Sequence, residues 1–155
     1  MVVIFVLTKI QVFMSTITDI LKTAINLGAC EKSSTATDWK SLCWLLFSPQ
    51  GVEFCEKHNF PSIEQFRELE SENLSDFGVF IDKGKISRIN DSCIALVGNT
   101  RGELVFDDNT KVHKVIVMHG AEAFIVARNY AVVRLYNIGD NKVDVHRQAT
   151  AVVLR

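Results

Sequence analysis

Glu103 and Glu122 are the residues whose type and spacing most invite a chemical reading. Each sits in a short β-branched segment, and if those segments stack as neighbouring strands the two carboxylates stand about 4.8 Å apart on one face. A close carboxyl pair is the equipment of glycoside cleavage, where one acid holds a proton while its partner is ionised. An ordinary solvated β surface presents the same pair, however. Lys142, one repeat further on, would neutralise it, and Phe124 is the only aromatic residue nearby that a sugar could stack on. Surface charge is the stronger reading, and Glu103 and Glu122 are kept as candidates only.

Other reactive side chains are scattered. His113, His119 and His146 occupy different places in the repeat described below, so they do not stack into one metal or proton-relay site, and His119 reads as a turn residue. Cys55 and His58 are the only Cys and His pair close to ligand spacing, too few for zinc. The chain holds no GxSxG, Walker loop, Rossmann glycine set or HExxH. "GNTRGE" joins strands rather than opening a helix, so it is no phosphate cradle. No catalytic residue, cofactor or metal ligand is assigned.

The elements that must carry these residues come from a repeat. "CIALVGNTRGELVFDD" (93–108), "KVIVMHGAEAFIVARN" (114–129) and "VVRLYNIGDNKVDVHR" (132–147) align on Glu103, Glu122 and Lys142, with "AVVLR" (151–155) as a partial fourth unit. Strand alternation then points Ile94, Leu96, Leu104 and Phe106 one way, with Val115, Val117, Ala123 and Ile125, and then Val133, Leu135, Val143 and Val145, in the following units. All twelve are apolar. Turns fall at Gly98, His119-Gly120 and Asn137, and polar corners at Asp107-Asp108, Arg128-Asn129 and His146-Arg147. A repeat near 20 residues with aligned inward rows predicts a small β-solenoid of about three rungs. The rival is an antiparallel sandwich or barrel of hairpins, for which "NIGDNK" would be a good turn.

Ahead of the repeat the spacing is helical. "STITDILKTAINLG" puts Ile17, Ile20, Leu21, Ala24 and Leu27 on one face, with Thr16 and Asp19 at its start and Gly28 at its end. Asp38 caps a second helix. Ser48-Pro49 ends it and opens a third, Asn59 supplies a left-handed residue, and Ser62 starts a fourth. The whole is an α+β chain: an extension or strand over 1–13, a helical module over 14–70 and a β-repeat module over 77–155. The third and fourth helices superficially resemble a helix-turn-helix. Glu64, Glu68, Glu70 and Glu72 beside a single Arg67 would repel a duplex, so no nucleic acid is expected as a partner.

Composition sets the remaining bounds. The chain has 155 residues, 48% of them hydrophobic, enough for a real core, and a formal net charge of -1 gives no global field toward polyanions. Charge is uneven: residues 61–110 hold five Lys/Arg against ten Asp/Glu, and 111–155 hold seven against three. Cys30, Cys43, Cys55 and Cys93 form no CxxC pair and read as reduced residues of a cytoplasmic protein. "MVVIFVLTKIQVF" is too short and interrupted for a membrane span, so no membrane partner is expected.

"LFSPQGVEFCEKHNFPSIEQFREL" followed by "IALVGNT", "VIVMHGA" and "YAVVRLYN" resembles a group of small uncharacterised proteins carried by phages and mobile elements of gut bacteria. The resemblance implies a genomic setting and no active residues. The expectation for function is a non-catalytic interaction or structural module that forms a homo-oligomer or binds a protein partner. Its interface is expected at Ala151, Val152, Val153 and Leu154, with Val152 and Leu154 in the inward row. The alternative is a carbohydrate-active enzyme or a small-ligand-binding protein using the outward β face.

Overall fold

The computed structural model describes residues 16–31, 35–69 and 73–155, so the segment 1–13 expected as an extension or strand lies outside the described residues. The chain forms two compact units, Met1–Glu72 and Asn73–Arg155.

The first unit carries α1 over residues 16–26, α2 Trp39–Leu46, α3 Pro49–His58 and α4 Ile63–Leu69. Local chemistry marks the boundaries. Gly28, at φ +99°, lies just beyond α1. The Asp38 carboxylate accepts the Ser41 N–H at 2.7 Å while the Ser41 hydroxyl accepts the Asp38 N–H at 3.2 Å, a reciprocal cap on α2. Ser48 caps α3 with Pro49 in its first turn, and Asn59 ends it at φ +47°. Ser62 and Gln65 exchange side-chain bonds at the start of α4. The close approach of α2 to α3 is set by Gly51, where a Cβ would stand 2.0 Å from the Leu45 carbonyl oxygen. Leu42, Leu46, Val52, Cys55, Phe66 and Leu69 are buried.

The second unit opens with a 3-10 turn, Leu74–Phe77, and continues in nine strands. These are β1 Val79–Ile81, β2 Gly84–Ile89, β3 Cys93–Val97, β4 Thr100–Phe106, β5 Val112–Met118, β6 Glu122–Ala127, β7 Val132–Ile138, β8 Lys142–Arg147 and β9 Val152–Leu154. Odd strands form a five-stranded sheet in the order β1-β3-β5-β7-β9, and even strands a four-stranded sheet in the order β2-β4-β6-β8. Every pairing is parallel. The chain therefore runs out along one sheet and back along the other, a β-solenoid of about four turns and not an antiparallel barrel. The stack begins one coil earlier than the aligned repeats, because β1 and β2 already pair with β3 and β4.

All twelve residues expected to point inward do so. Ile94, Leu96, Leu104, Phe106, Val115, Val117, Ala123, Ile125, Val133 and Leu135 are buried in one core cluster, and Val143 and Val145 pack against it half-buried. The assumed register was nevertheless two residues out at one step: Glu103 pairs with Phe124, and Glu122 pairs with Arg101. Strand β4 starts at Thr100, so the residues around Gly102 are strand and not turn. Gly102 sits inward, where a Cβ would come within 2.6 Å of Leu96 Cδ1. A slip of two residues preserves the face of every side chain, which is why the inward rows survived it.

Corner side chains join the coils. Thr100, the first residue of β4, and Asn141, the residue before β8, occupy the same place in their coils. The Thr100 hydroxyl accepts the Lys83 N–H at 3.0 Å and lies 3.2 Å from the Phe80 carbonyl oxygen, one coil back. Asn141 Oδ1 accepts the Gly120 N–H at 2.7 Å, and its Nδ2 donates to the Val117 and Ile138 carbonyls at 2.9 and 2.7 Å. At the other corner Asn90 exchanges bonds with Asp107 at 2.7 and 2.8 Å, and buried His113 sets Nδ1 2.8 Å from the Asp91 carbonyl and Nε2 2.9 Å from that of Asp108. These bonds satisfy backbone groups that the strands leave open at the bends.

Candidate functional site

On the outward face of the four-stranded sheet the register brings Lys85, Arg101, Glu122 and Lys142 into one row, and Ser87, Glu103, Phe124 and Asp144 into the next. Glu103 and Glu122 therefore do not stand opposite each other, a correction to the expected pair that follows from the shifted register. Each is neutralised separately. Glu103 meets Lys85 Nζ at 2.8 Å, and Glu122 meets Arg101 at 3.0 Å and Lys142 at 3.9 Å. The Lys85 hydrogen bond holds the Glu103 carboxyl below its ordinary value, which is the opposite of what a proton-donating acid needs. Phe124 lies tilted against the His146 ring, their centroids 4.9 Å apart.

The other sequence candidates stay apart. His113 is a buried corner residue, His119 is a turn residue at φ +54°, and His146 lies on the outward face, 3.5 Å from Asp144. None of the four cysteines is in a disulfide, and burial pushes the Cys55 thiol up to about 12, far from a nucleophile's range. Among the described residues no three His, Cys, Asp or Glu side chains gather as a metal site, and no helix is long and apolar enough to cross a membrane. Within the helical unit a cavity of about 360 Å³ lies among Ile20, Ala24, Leu42, Leu46, Phe54 and Phe60. Its walls can shelter an apolar group, but they bring no charged side chain to orient one.

The ends of the coil stack differ more than its faces. At the first coil the 3-10 turn packs against β1, and Arg88 occupies the inward column that continues as Leu104, Ile125 and Val145. Its guanidinium swings over the Phe80 ring, 5.6 Å from the centroid, and binds the Asp91 carboxylate through two bonds of 2.8 and 3.2 Å. The ion pair thereby lies over Phe80, while Ile86 in the same strand packs only partly against the core, and the Asp91 bond favours the charged guanidinium.

At the other end Val143, Val145 and Val153 pack only partly against the core. Ala151 is buried, while Val152 and Leu154 are each 45% exposed. Val153 pairs with inward Val133, so it is Val153 that points in and Val152 and Leu154 that point out, the reverse of the expected orientation. Sequence reasoning missed Arg88 because the alternation was not carried back to Val79. Extended that far, a lone arginine in an apolar column would have been visible.

No protein-family model matches this sequence, and no curated protein and no solved structure is significantly similar to it.

Proposed function

We propose that this protein is a non-catalytic interaction module whose β unit self-associates through the edge formed by β8 and β9. The observation that carries the reading is the asymmetry of the stack. At the first coil the Arg88 and Asp91 ion pair lies over Phe80 beside the half-covered Ile86; at the last, Val143, Val145 and Val153 are half-covered beside the exposed Val152 and Leu154, Arg147 is bound to the Ala151 carbonyl, and only there does one sheet project a strand past the other. Among the described residues no strand pairs with the outer edges of β8 and β9, and pairing with another edge would satisfy both their backbone groups and the apolar row. Glycoside cleavage is the weaker reading, because both candidate glutamates are bound up in ion pairs. The resemblance to small phage and mobile-element proteins fits a structural or host-modulating component working in the bacterial cytoplasm.

The test is analytical ultracentrifugation of the 155-residue chain at tens of micromolar, beside Val153→Lys. The expected result is a wild-type oligomer that the lysine, placed in the inward row of the edge, reduces to monomer with its circular dichroism unchanged. A wild-type chain that stays monomeric would overturn the reading.

A further inference from the structure

The shape of the open end specifies how a second copy would meet it. The five-stranded sheet projects one strand beyond the four-stranded one, so the end is a step, with β9 forming the tread and the edge of β8 the recess beside it. Because the chain runs out along one sheet and back along the other, strand directions in the two sheets are opposed. Two closed two-fold arrangements bring such ends together. An axis perpendicular to the sheets sets β9 against β9 and leaves β8 facing its mate across three strand spacings, about 14 Å. That gap would keep both β8 edges unpaired and Val143 and Val145 uncovered.

An axis parallel to the strands behaves differently. It carries the five-stranded sheet of one copy onto the four-stranded sheet of the other, where each projecting β9 fills the other's recess. Both sheets then run without a break across the junction, five strands continued by four on each side. The opposite end, where β1 and β2 finish level, offers no such recess. Resting on the self-association reading, we infer that the partner is a second copy joined through this second axis, with β9 of each subunit antiparallel to β8 of the other. The assembly closes as a dimer.

The geometry names a contact. Rotation about an axis parallel to the strands leaves positions along them unchanged. Arg134 and His146 lie equally far in sequence from Asp140 at the turn between β7 and β8, so they stand at the same level of the coil. Leu154 repeats the position of Arg134, and both Leu154 and His146 point outward. Leu154 therefore comes to lie beside the partner's His146.

The experiment uses the full chain with the exposed Cys30 replaced by serine. It compares Leu154→Cys, His146→Cys and the double variant after mild oxidation on non-reducing gels, with sedimentation run in parallel on the reduced samples. The expected result is a covalent dimer from the double variant and none from either single one. A covalent dimer from Leu154→Cys alone, or reduced dimers that the double variant fails to cross-link, would overturn the interlocked geometry while leaving self-association standing. Sedimentation as monomer would instead overturn the self-association reading beneath it.

Discussion

At the inward position that Leu104, Ile125 and Val145 fill in the later coils, the first coil carries Arg88, and the two ends of the stack diverge from there. The arginine lays a cation over Phe80 and is tied to Asp91, beside an Ile86 that packs only partly against the core. The final strands present valine and leucine, together with Arg147 in the inward column of Phe106 and Ala127. A parallel coil stack has no intrinsic stop, because every rung leaves an edge that the next can extend. The comparison teaches that each end carries an arginine in an inward column and that they differ in outline, one finishing level and the other in a step.

The most drastic way to break this difference is to remove the stop. Arg88→Leu places an aliphatic side chain in line with Leu104, and the inward row of β2 then carries no charge. The expected outcome is growth past the dimer, with a weight-average mass by light scattering several-fold above that of the wild type. A variant that stays dimeric would show that the 3-10 turn Leu74–Phe77, rather than Arg88, closes that end.

A smaller effect distinguishes the corners nearest the two ends. Asn141→Ala deprives buried backbone groups of the last coils of their bonds, at a cost of about 2–3 kcal/mol. Thr100→Val removes the hydroxyl that links the second coil to the first and is expected to cost about 1 kcal/mol. Chemical denaturation followed by circular dichroism reads both. Equal losses would mean that the two corners contribute alike.

Acid sharpens the contrast least, because it acts on the middle of the stack. The Asn90 side chain holds Asp107 below the ordinary aspartate range, with help from Arg128, and Thr110 does the same for Asp108. A depressed folded-state value means that the stabilisation is fully present above the unfolded aspartate value, near 4, and is lost as pH falls through the lower folded one. Both groups are partly open to solvent, so the slope is shallow. Asp107→Asn should flatten the acid limb of a pH titration of stability without altering self-association at pH 7.

Much of this was legible before the fold was known. Twelve inward residues, the caps at Asp38 and Ser48, the left-handed Asn59 and the turn at His119 follow from local rules of periodicity and conformation, and the structure keeps all of them. Register was not legible in the same way. A two-residue slip leaves alternation intact, so nothing in the pattern of apolar residues could detect it, yet it decided whether Glu103 and Glu122 stood together. The bonds of Asn141 and His113 were hidden for a related reason. Their partners are backbone carbonyls, which carry no signature in sequence. Arg88 was legible in principle, once alternation is followed into the first coil.

The difference between the ends is tested most directly by amide hydrogen exchange measured on the wild-type chain across a concentration series spanning the association. Protection is expected to rise with concentration in β8 and β9, Lys142–Leu154, and to stay constant along β2, Gly84–Ile89, whose edge lies at the closed end. Protection that rises equally in β2, or that does not change in β9 while the chain associates, would contradict it.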